Sequence, residues 1–169
     1  MKAITHCLES TLAWKDPVPG VPKFELSSGG ELLATLAYEP LCRTLATAET
    51  AEGTWTIQET GILSTTIHVR EEGSTGDLAV FHPGFLGRGR LRFGNGVTFR
   101  WRHHPLQHSW SFCGEDGETL LTFRREPELA EKPWPHSTRA ELDISPAGRS
   151  NPRIPLLAAL GWYLVLRHA

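Results

Sequence analysis

Short runs of alternating apolar and polar residues, separated by glycine-containing turns, fill the chain between residues 24 and 126. Alternation with a period of two is typical of half-buried β-strands, and glycine supplies the positive φ that tight hairpin turns need. The pattern repeats as five hairpins, and residues 140–144 add a further strand. The five turns lie at residues 27–30, 51–53, 72–76, 94–96 and 114–117. We therefore expect about 10–12 antiparallel strands that follow one another in sequence order.

One segment departs from this alternation: residues 154–166 carry no charged side chain at all. Pro155 suits the first turn of a helix, and Gly161 leaves room for a neighbour. A helix that is apolar on every face must be surrounded by protein or by lipid. Its 13 residues would span about 20 Å, which is short of a hydrocarbon core of about 30 Å. We expect no transmembrane span, with tail anchoring in a thinned bilayer as the alternative.

The two patterns together predict the fold class. In a β-rich chain, a closed barrel is the simplest structure that can surround such a helix. We predict a mainly β protein, a closed antiparallel barrel around a buried apolar helix at about residues 154–167. Residues 1–169 are expected to form a single domain. Residues 126–137 contain three prolines and are expected to cross the surface as a long loop. Four tryptophans are expected in the core: Trp55, Trp101, Trp110 and Trp162.

The cysteines and the N-terminal residues indicate the compartment. The three cysteines, Cys7, Cys42 and Cys113, are far apart and form no CxxC pair. A disulfide framework or a zinc ribbon is therefore not expected, and reduced thiols are, with one buried disulfide as the alternative. The first residues contain no apolar stretch of signal-peptide length. We expect a cytoplasmic protein, with peripheral membrane association left open.

Charge is distributed unevenly along the chain. The formal net charge of −2 excludes a uniformly basic nucleic-acid binder. Residues 78–114, however, contain five arginines and no acidic residue, so the rest of the chain carries −7. The average charge therefore conceals a polarised chain.

The five arginines lie in one predicted hairpin around Gly94-Asn95-Gly96. A three-residue loop would pair Leu91 with Phe99 and Arg90 with Arg100. Leu91, Phe93, Val97, Phe99 and Trp101 would then share one face. A two-residue loop would scramble the two faces, so we predict the first register. The opposite face, which we call the Arg-rich face, would consist of Arg88, Arg90, Arg92, Arg100 and Arg102.

The Arg-rich face is our candidate ligand-binding site. Like charges directly across a strand pair are destabilising, whereas planar guanidinium groups bind phosphate or carboxylate in pairs. An anion site, for a lipid headgroup or another phosphate-containing ligand, is one interpretation. The alternative is a solvated outer face that is neutralised by acids on nearby strands, such as Glu71, Glu72 or Glu118.

Candidate chemistry elsewhere in the chain is sparse. His103-His104-x-x-x-His108 has no cysteine or carboxylate nearby to complete a metal site, so we predict no metal. Cys113 next to His108 would resemble a nucleophile and its base, but an isolated cysteine is more often a small buried hydrophobe. The common hydrolase, zinc-protease and nucleotide-binding motifs are missing from the sequence. We therefore expect a non-enzymatic protein without a cofactor.

A series of hairpins that ends in an all-apolar helix resembles the tubby C-terminal-like superfamily, which includes tubby domains, phospholipid scramblases and LURP-one-related proteins. The stretches that carry the resemblance are residues 24–33, 109–121 and 156–166. The Trp of the second stretch, followed by a glycine turn and a leucine pair, is similar to the LURP-one pattern. The resemblance implies a non-enzymatic module, with phosphoinositide binding in tubby domains and action at membranes in scramblases. No lipid-binding motif of these families matches a position in this chain.

Two other function classes stay open. Gly53-Thr54-Trp55 matches the Gly-x-Trp of lipocalin-like barrels, which hold a small ligand in an open cavity. A structural or interaction domain without a small ligand is the third alternative. The position of the apolar helix separates the tubby-like module from the lipocalin-like barrel. The helix would lie inside the barrel in the first and outside it in the second.

Overall fold

The structure, a computed structural model, describes residues 1–8, 10–125 and 139–168. Within these ranges, 12 antiparallel strands follow one another around a closed barrel, and pairing of β1 with β12 closes it. The strands are β1 (Leu12–Lys15), β2 (Lys23–Ser28), β3 (Glu31–Glu39), β4 (Cys42–Thr50), β5 (Gly53–Thr60), β6 (Thr66–Glu71), β7 (Ala79–Pro83), β8 (Gly89–Phe93), β9 (Thr98–His104), β10 (Ser109–Cys113), β11 (Thr119–Arg125) and β12 (Arg139–Ile144). The predicted closed antiparallel barrel is confirmed. The surface crossing predicted at residues 126–137 lies outside the described residues.

Alternation along each strand decides which side chains fill the barrel. In β12, Ala140, Leu142 and Ile144 are buried, while the residues between them are exposed. Successive side chains point to opposite faces of a strand, so each apolar member of the pattern is directed inward. In β12 the sequence pattern therefore identifies the side chains of the inner surface, whereas in β10 every residue is buried and the pattern does not separate the two faces.

Two short helices follow the last strand: α1 (Pro146–Arg149) and α2 (Ile154–Arg167). Every residue of α2 from Ile154 to Val165 is buried. The helix contacts strands on opposite sides of the barrel, among them β3, β5, β10 and β11. The predicted helix at about residues 154–167 is confirmed, and it occupies the inside of the barrel.

Aromatic rings and one glycine fit α2 to the wall. Trp162 stacks on Trp14 of β1 with ring centroids 5.6 Å apart, and Phe24 of β2 meets it edge-on. On the other side, a Cβ atom at Gly161 would collide with the ring of Phe123. Gly161 thus permits the close approach that its sequence position suggested. The tryptophans predicted in the core, Trp55, Trp101, Trp110 and Trp162, are all buried.

The alternating strand direction gives the barrel two different ends. Connections after β1, β3, β5, β7 and β9 lie at one end, which we call the mouth, and connections after even-numbered strands lie at the other, the base. The helix α2 finishes at the mouth, where Arg167 makes a two-point ion pair with Glu59 (2.8 and 3.2 Å). A short 3-10 helix (Ile4–His6) contacts α2 and buries Ile4 completely.

Strand β1 was not predicted, although it closes the barrel. It has only four residues and is followed by Pro17 and Pro19, so it carries almost no alternation of its own. Its inward residues, Leu12 and Trp14, are nonetheless fully buried.

Cys7, Cys42 and Cys113 are all free thiols. Among the described residues, no helix has the length and apolar character needed to cross a membrane.

Candidate anion-binding face

The hairpin of β8 and β9 has the register that its hydrophobic pattern predicts. Leu91 lies opposite Phe99, and Arg90 lies opposite Arg100. The turn fixes this register, because Gly96 adopts a φ of +88° and the Val97 amide donates to Asn95 Oδ1 (3.1 Å). The turn therefore determines which outward side chains of β8 and β9 lie opposite each other.

The inward side of this hairpin belongs to the core. Leu91, Phe93, Phe99 and Trp101 are buried, as predicted. Val97 was expected on the same face but is 42% exposed. It lies in the connection between the strands, where its carbonyl accepts from the Phe93 amide (2.8 Å) and its side chain has already left the barrel wall.

The structure brings the predicted arginines to the outer surface of the barrel. Arg90 and Arg100 face each other directly, and His82 of β7 extends the row on the side of Arg90. Arg92 lies opposite Thr98, and Arg102 lies opposite Ser111 of β10. Arg88 precedes β8 in the connection at the mouth. Arg88, Arg90, Arg92 and Arg100 are exposed and Arg102 is half-buried.

Two shallow surface hollows adjoin on this face, and Arg90 and Arg100 line both of them. The hollow nearer the base is completed by Arg92, Gly96, Thr98 and Glu115. The hollow nearer the mouth is completed by Arg88, Gly89, Trp101, Arg102, His103 and His104. The Arg90–Arg100 pair is thus the shared wall of a concave, cationic surface.

No described acidic residue forms an ion pair with the Arg-rich face. Glu71, Glu72 and Glu118, the acids considered as neutralising partners, make no such contact. An ion pair on β6 and the β6–β7 connection forms without the Arg-rich face: Asp77 accepts from Arg70 Nε (2.8 Å) and contacts His68 Nδ1 at 2.7 Å. Those two partners lower the pKa of Asp77. Glu115 lines the edge of one hollow without an ion pair to its arginines.

His103 closes the hollow nearer the mouth. Its ring stacks on Trp110 of β10, with centroids 4.9 Å apart and planes 10° from parallel. Burial lowers the pKa of His103, and the charges of His104 and His108 act in the same direction. His103 is therefore mainly neutral at pH 7, so the positive charge of this hollow comes from its arginines.

The other candidate groups do not assemble into a centre. In the part of the chain that the structure describes, no three His, Cys, Asp or Glu side chains are placed to hold a metal ion. His108 and Cys113 stand at opposite ends of β10, which at the rise of a strand separates them by about 17 Å. The Cys113 thiol is buried and contacts Thr119 Oγ1 at 3.8 Å.

A separate cavity of about 420 Å³ lies at the mouth, beside the end of α2. Tyr38 and Tyr163 stack along its wall, with centroids 5.5 Å apart, and the Tyr163 hydroxyl donates to the Thr44 carbonyl (3.4 Å). Burial raises the pKa of both tyrosines. The charged residues of its lining are two acids, Glu39 and Glu59, and two arginines, Arg43 and Arg167. The cavity therefore lacks the excess positive charge of the Arg-rich face.

No family model, curated protein or solved structure matches this chain.

Sequence reasoning did not assign to the site His82, which extends the row of arginines, or Thr98 and Glu115, which line one hollow. The signal was available for His82, because it stands in the acid-free segment and its strand pairs with β8. Thr98 required the register, since it lines the hollow only as the partner of Arg92.

Proposed function

We propose that this protein is a non-enzymatic, tubby-like barrel module whose Arg-rich face binds anions that carry phosphate or carboxylate groups, lipid headgroups among them. The observation that carries the proposal is the Arg90–Arg100 pair, which stands directly across two strands, lines two adjoining hollows and has no described acidic partner. Such a pair is poised for an anion that both guanidinium groups can share.

Energetics favour a ligand over a purely solvated surface. Like charges opposite each other on a sheet repel, and on this face no ion pair with a described acid relieves the repulsion. A phosphate group accepts charge-assisted hydrogen bonds from both guanidinium forks and cancels the repulsion between them. Relief of the repulsion between Arg90 and Arg100 therefore adds to the affinity for the anion.

The tubby-like assignment rests on the resemblance in sequence pattern and is supported by the apolar helix inside a closed barrel. The same interior argues against the lipocalin-like alternative, because α2 occupies the space in which a lipocalin-like barrel would hold its ligand. A structural or interaction domain without a small ligand is the remaining alternative. We place the protein in the cytoplasm, with the option of peripheral attachment to a membrane.

The test compares two double variants of equal net charge. Arg90→Gln/Arg100→Gln removes the central pair, whereas Arg139→Gln/Arg149→Gln removes two exposed arginines from β12 and α1. Inositol hexakisphosphate serves as the soluble probe, and phosphatidylcholine vesicles doped with phosphatidic acid serve as the membrane probe. We expect the first variant to lose affinity by about tenfold or more, because charge-assisted hydrogen bonds are lost.

The control variant should bind nearly as well as the parent, and added salt should weaken binding of the parent. Binding to the soluble probe alone would identify a free polyanion as the ligand, and binding to vesicles alone would identify a lipid headgroup. Equal losses in the two variants would show that only net charge matters, and the Arg-rich face would then not be a site.

A further inference from the structure

A second surface feature lies at the mouth of the barrel, apart from the Arg-rich face. Large apolar side chains project from the connections after β3, β5, β7 and β9. Their exposed fractions lie between 72% and 102%. We call them the apolar rim: Leu41, Ile62, Leu63, Phe85, Leu86 and Leu106.

The distribution of such residues between the two ends is strongly uneven. Ten large apolar residues of the described chain are exposed, and eight of them lie in connections at the mouth, where Val18 and Val21 of the β1–β2 connection join the apolar rim. Scattered single apolar residues are normal on a protein surface, whereas their concentration in one region marks an interaction site. Exposed apolar loop tips at one end of the barrel form such a region.

Two of the loops that bear the rim are held in unusual conformations. Leu86 and His108 are the non-glycine residues with positive φ (56° and 46°) in the described chain. The β7–β8 connection also rests on β9, because a Cβ atom at Gly87 would lie 2.9 Å from His103 Cβ. His103 in turn stacks on Trp110. Strained backbone persists only where the surroundings enforce it, so the exposure of Phe85 and Leu86 is built into the fold.

The connections at the two ends of the barrel also differ in charge, and those at the base are the more acidic. The described hairpin connections at the base contain six acidic residues and no basic one, and the segment that follows β12 at the same end adds Arg149 and Arg153. Those at the mouth contain one acidic residue, Asp16, together with Arg88. The Arg-rich face also reaches the mouth through Arg88 and Arg102. The six acids at the base are Glu52, Glu72, Asp77, Glu115, Asp116 and Glu118.

We propose that the mouth of the barrel docks on an anionic lipid bilayer, with the apolar rim inserted between the headgroups. Separate apolar tips on four loops can each enter a fluid phase without a complementary partner surface. The polarity of charge turns the mouth toward a negative surface and the base away from it. This surface is distinct from the Arg-rich face, which would contact headgroups beside the inserted tips.

The proposal is tested by co-sedimentation with vesicles of phosphatidylcholine and phosphatidylserine. Ile62→Ser/Leu63→Ser and Leu106→Ser shorten exposed tips, so the fold and the melting temperature should not change. We expect the first variant to lower vesicle partitioning by about tenfold or more, since two apolar side chains no longer leave water. Val97→Ser, a matched change of an exposed apolar residue at the base, should leave partitioning unchanged.

A second readout uses the native thiol of Cys42, which follows Leu41 directly and is half-buried, whereas Cys7 and Cys113 are buried. An environment-sensitive fluorophore on Cys42 should shift to shorter wavelength when these vesicles are added. Absence of that shift, with the protein bound, would overturn insertion of the mouth.

Other outcomes also overturn the proposal. These are a parent that does not bind the vesicles, rim variants that bind as well as the parent, and rim variants that only convert a dimer to a monomer. The last result would assign the rim to a second copy of this chain. The two proposals fail separately. Arg90→Gln/Arg100→Gln should weaken binding of inositol hexakisphosphate or of the phosphatidic acid vesicles while the bound protein keeps the Cys42 shift, whereas the rim variants should lose that shift and still bind those probes through the Arg-rich face.

Discussion

Single residues determine how closely the central helix can approach the barrel wall, and Gly161 is the clearest case. It stands in the middle of α2, where helix propensity favours almost any other residue. The Phe123 ring fills the space that a side chain at Gly161 would need, and the Phe112 ring lies beside it. Packing against the wall therefore outweighs local propensity at this position.

This balance makes a prediction for Gly161→Ala. The change gains about 1 kcal/mol of helix propensity. It also forces a methyl group into the Phe123 ring, and overpacking of a core costs about 1–3 kcal/mol. We expect a lower free energy of unfolding and a lower melting temperature, measured by near-ultraviolet circular dichroism.

The matched control is Gly76→Ala in the β6–β7 connection. A Cβ atom there has no neighbour within 4 Å, and the backbone is outside the left-handed region. This variant should be neutral or slightly more stable, because alanine restricts the unfolded chain. A Gly161→Ala protein as stable as the parent would show that α2 has more room in the barrel than the structure indicates.

At the scale of elements, the central helix and the hairpins depend on each other. Twelve consecutive residues of α2 are buried, and a buried apolar side chain contributes about 1.5–3 kcal/mol. The large side chains among them, such as Leu157, Leu160 and Trp162, together contribute an amount comparable with the net stability of about 5–15 kcal/mol that is typical of a domain. The closed barrel therefore cannot retain its packed interior without the helix.

Deletion of residues 154–169 should accordingly abolish the fold. We expect an aggregating chain without near-ultraviolet circular dichroism and without a cooperative thermal transition. Deletion of residues 168–169 alone leaves α2 complete and should preserve both. A soluble long truncation with a native transition would instead mean that the helix packs as an appendage.

The elements also show what a sequence can and cannot predict. All five glycine turns recognised in the sequence lie at the base of the barrel, where tight hairpins are needed. The connections between those hairpins form the mouth. They contain prolines and glycines too, such as Pro19-Gly20 and Pro83-Gly84, but not the short glycine turn between two alternating runs that identifies a hairpin. Strand β1 escaped recognition because its stability comes from contacts such as Trp14 on Trp162, which are 148 positions apart in the chain.

For the whole molecule, the consequence is a polarity along the barrel axis that no single segment reveals. The sequence was sufficient to predict the Arg-rich face, because one hairpin and its register contain all five arginines. It was insufficient for the apolar rim, since Leu41, Ile62 and Leu106 come to the same end of the barrel only when every second connection is assigned to that end. Closure of the barrel brings together residues that local periodicity treats as unrelated.

This polarity predicts how the protein lies on a membrane. If the mouth docks end-on, amide hydrogen exchange with the vesicles present should slow in the connections at residues 61–65 and 105–108. Exchange at residues 72–77 and 114–118, at the base, should not change, because more than the length of a strand separates them from the lipid. Mass spectrometry of peptic fragments measures both ends in one experiment, so the base serves as the internal control.

The same measurement distinguishes the two surfaces. Protection centred on β8 and β9, without protection at residues 61–65, would mean that the barrel lies on its side and binds through the Arg-rich face alone. Protection of the mouth with reduced exchange at Arg88 would mean a tilted barrel, because Arg88 belongs to both the mouth connection and the Arg-rich face. The position of that arginine, at the corner between a cationic side and an apolar end, favours the tilted orientation.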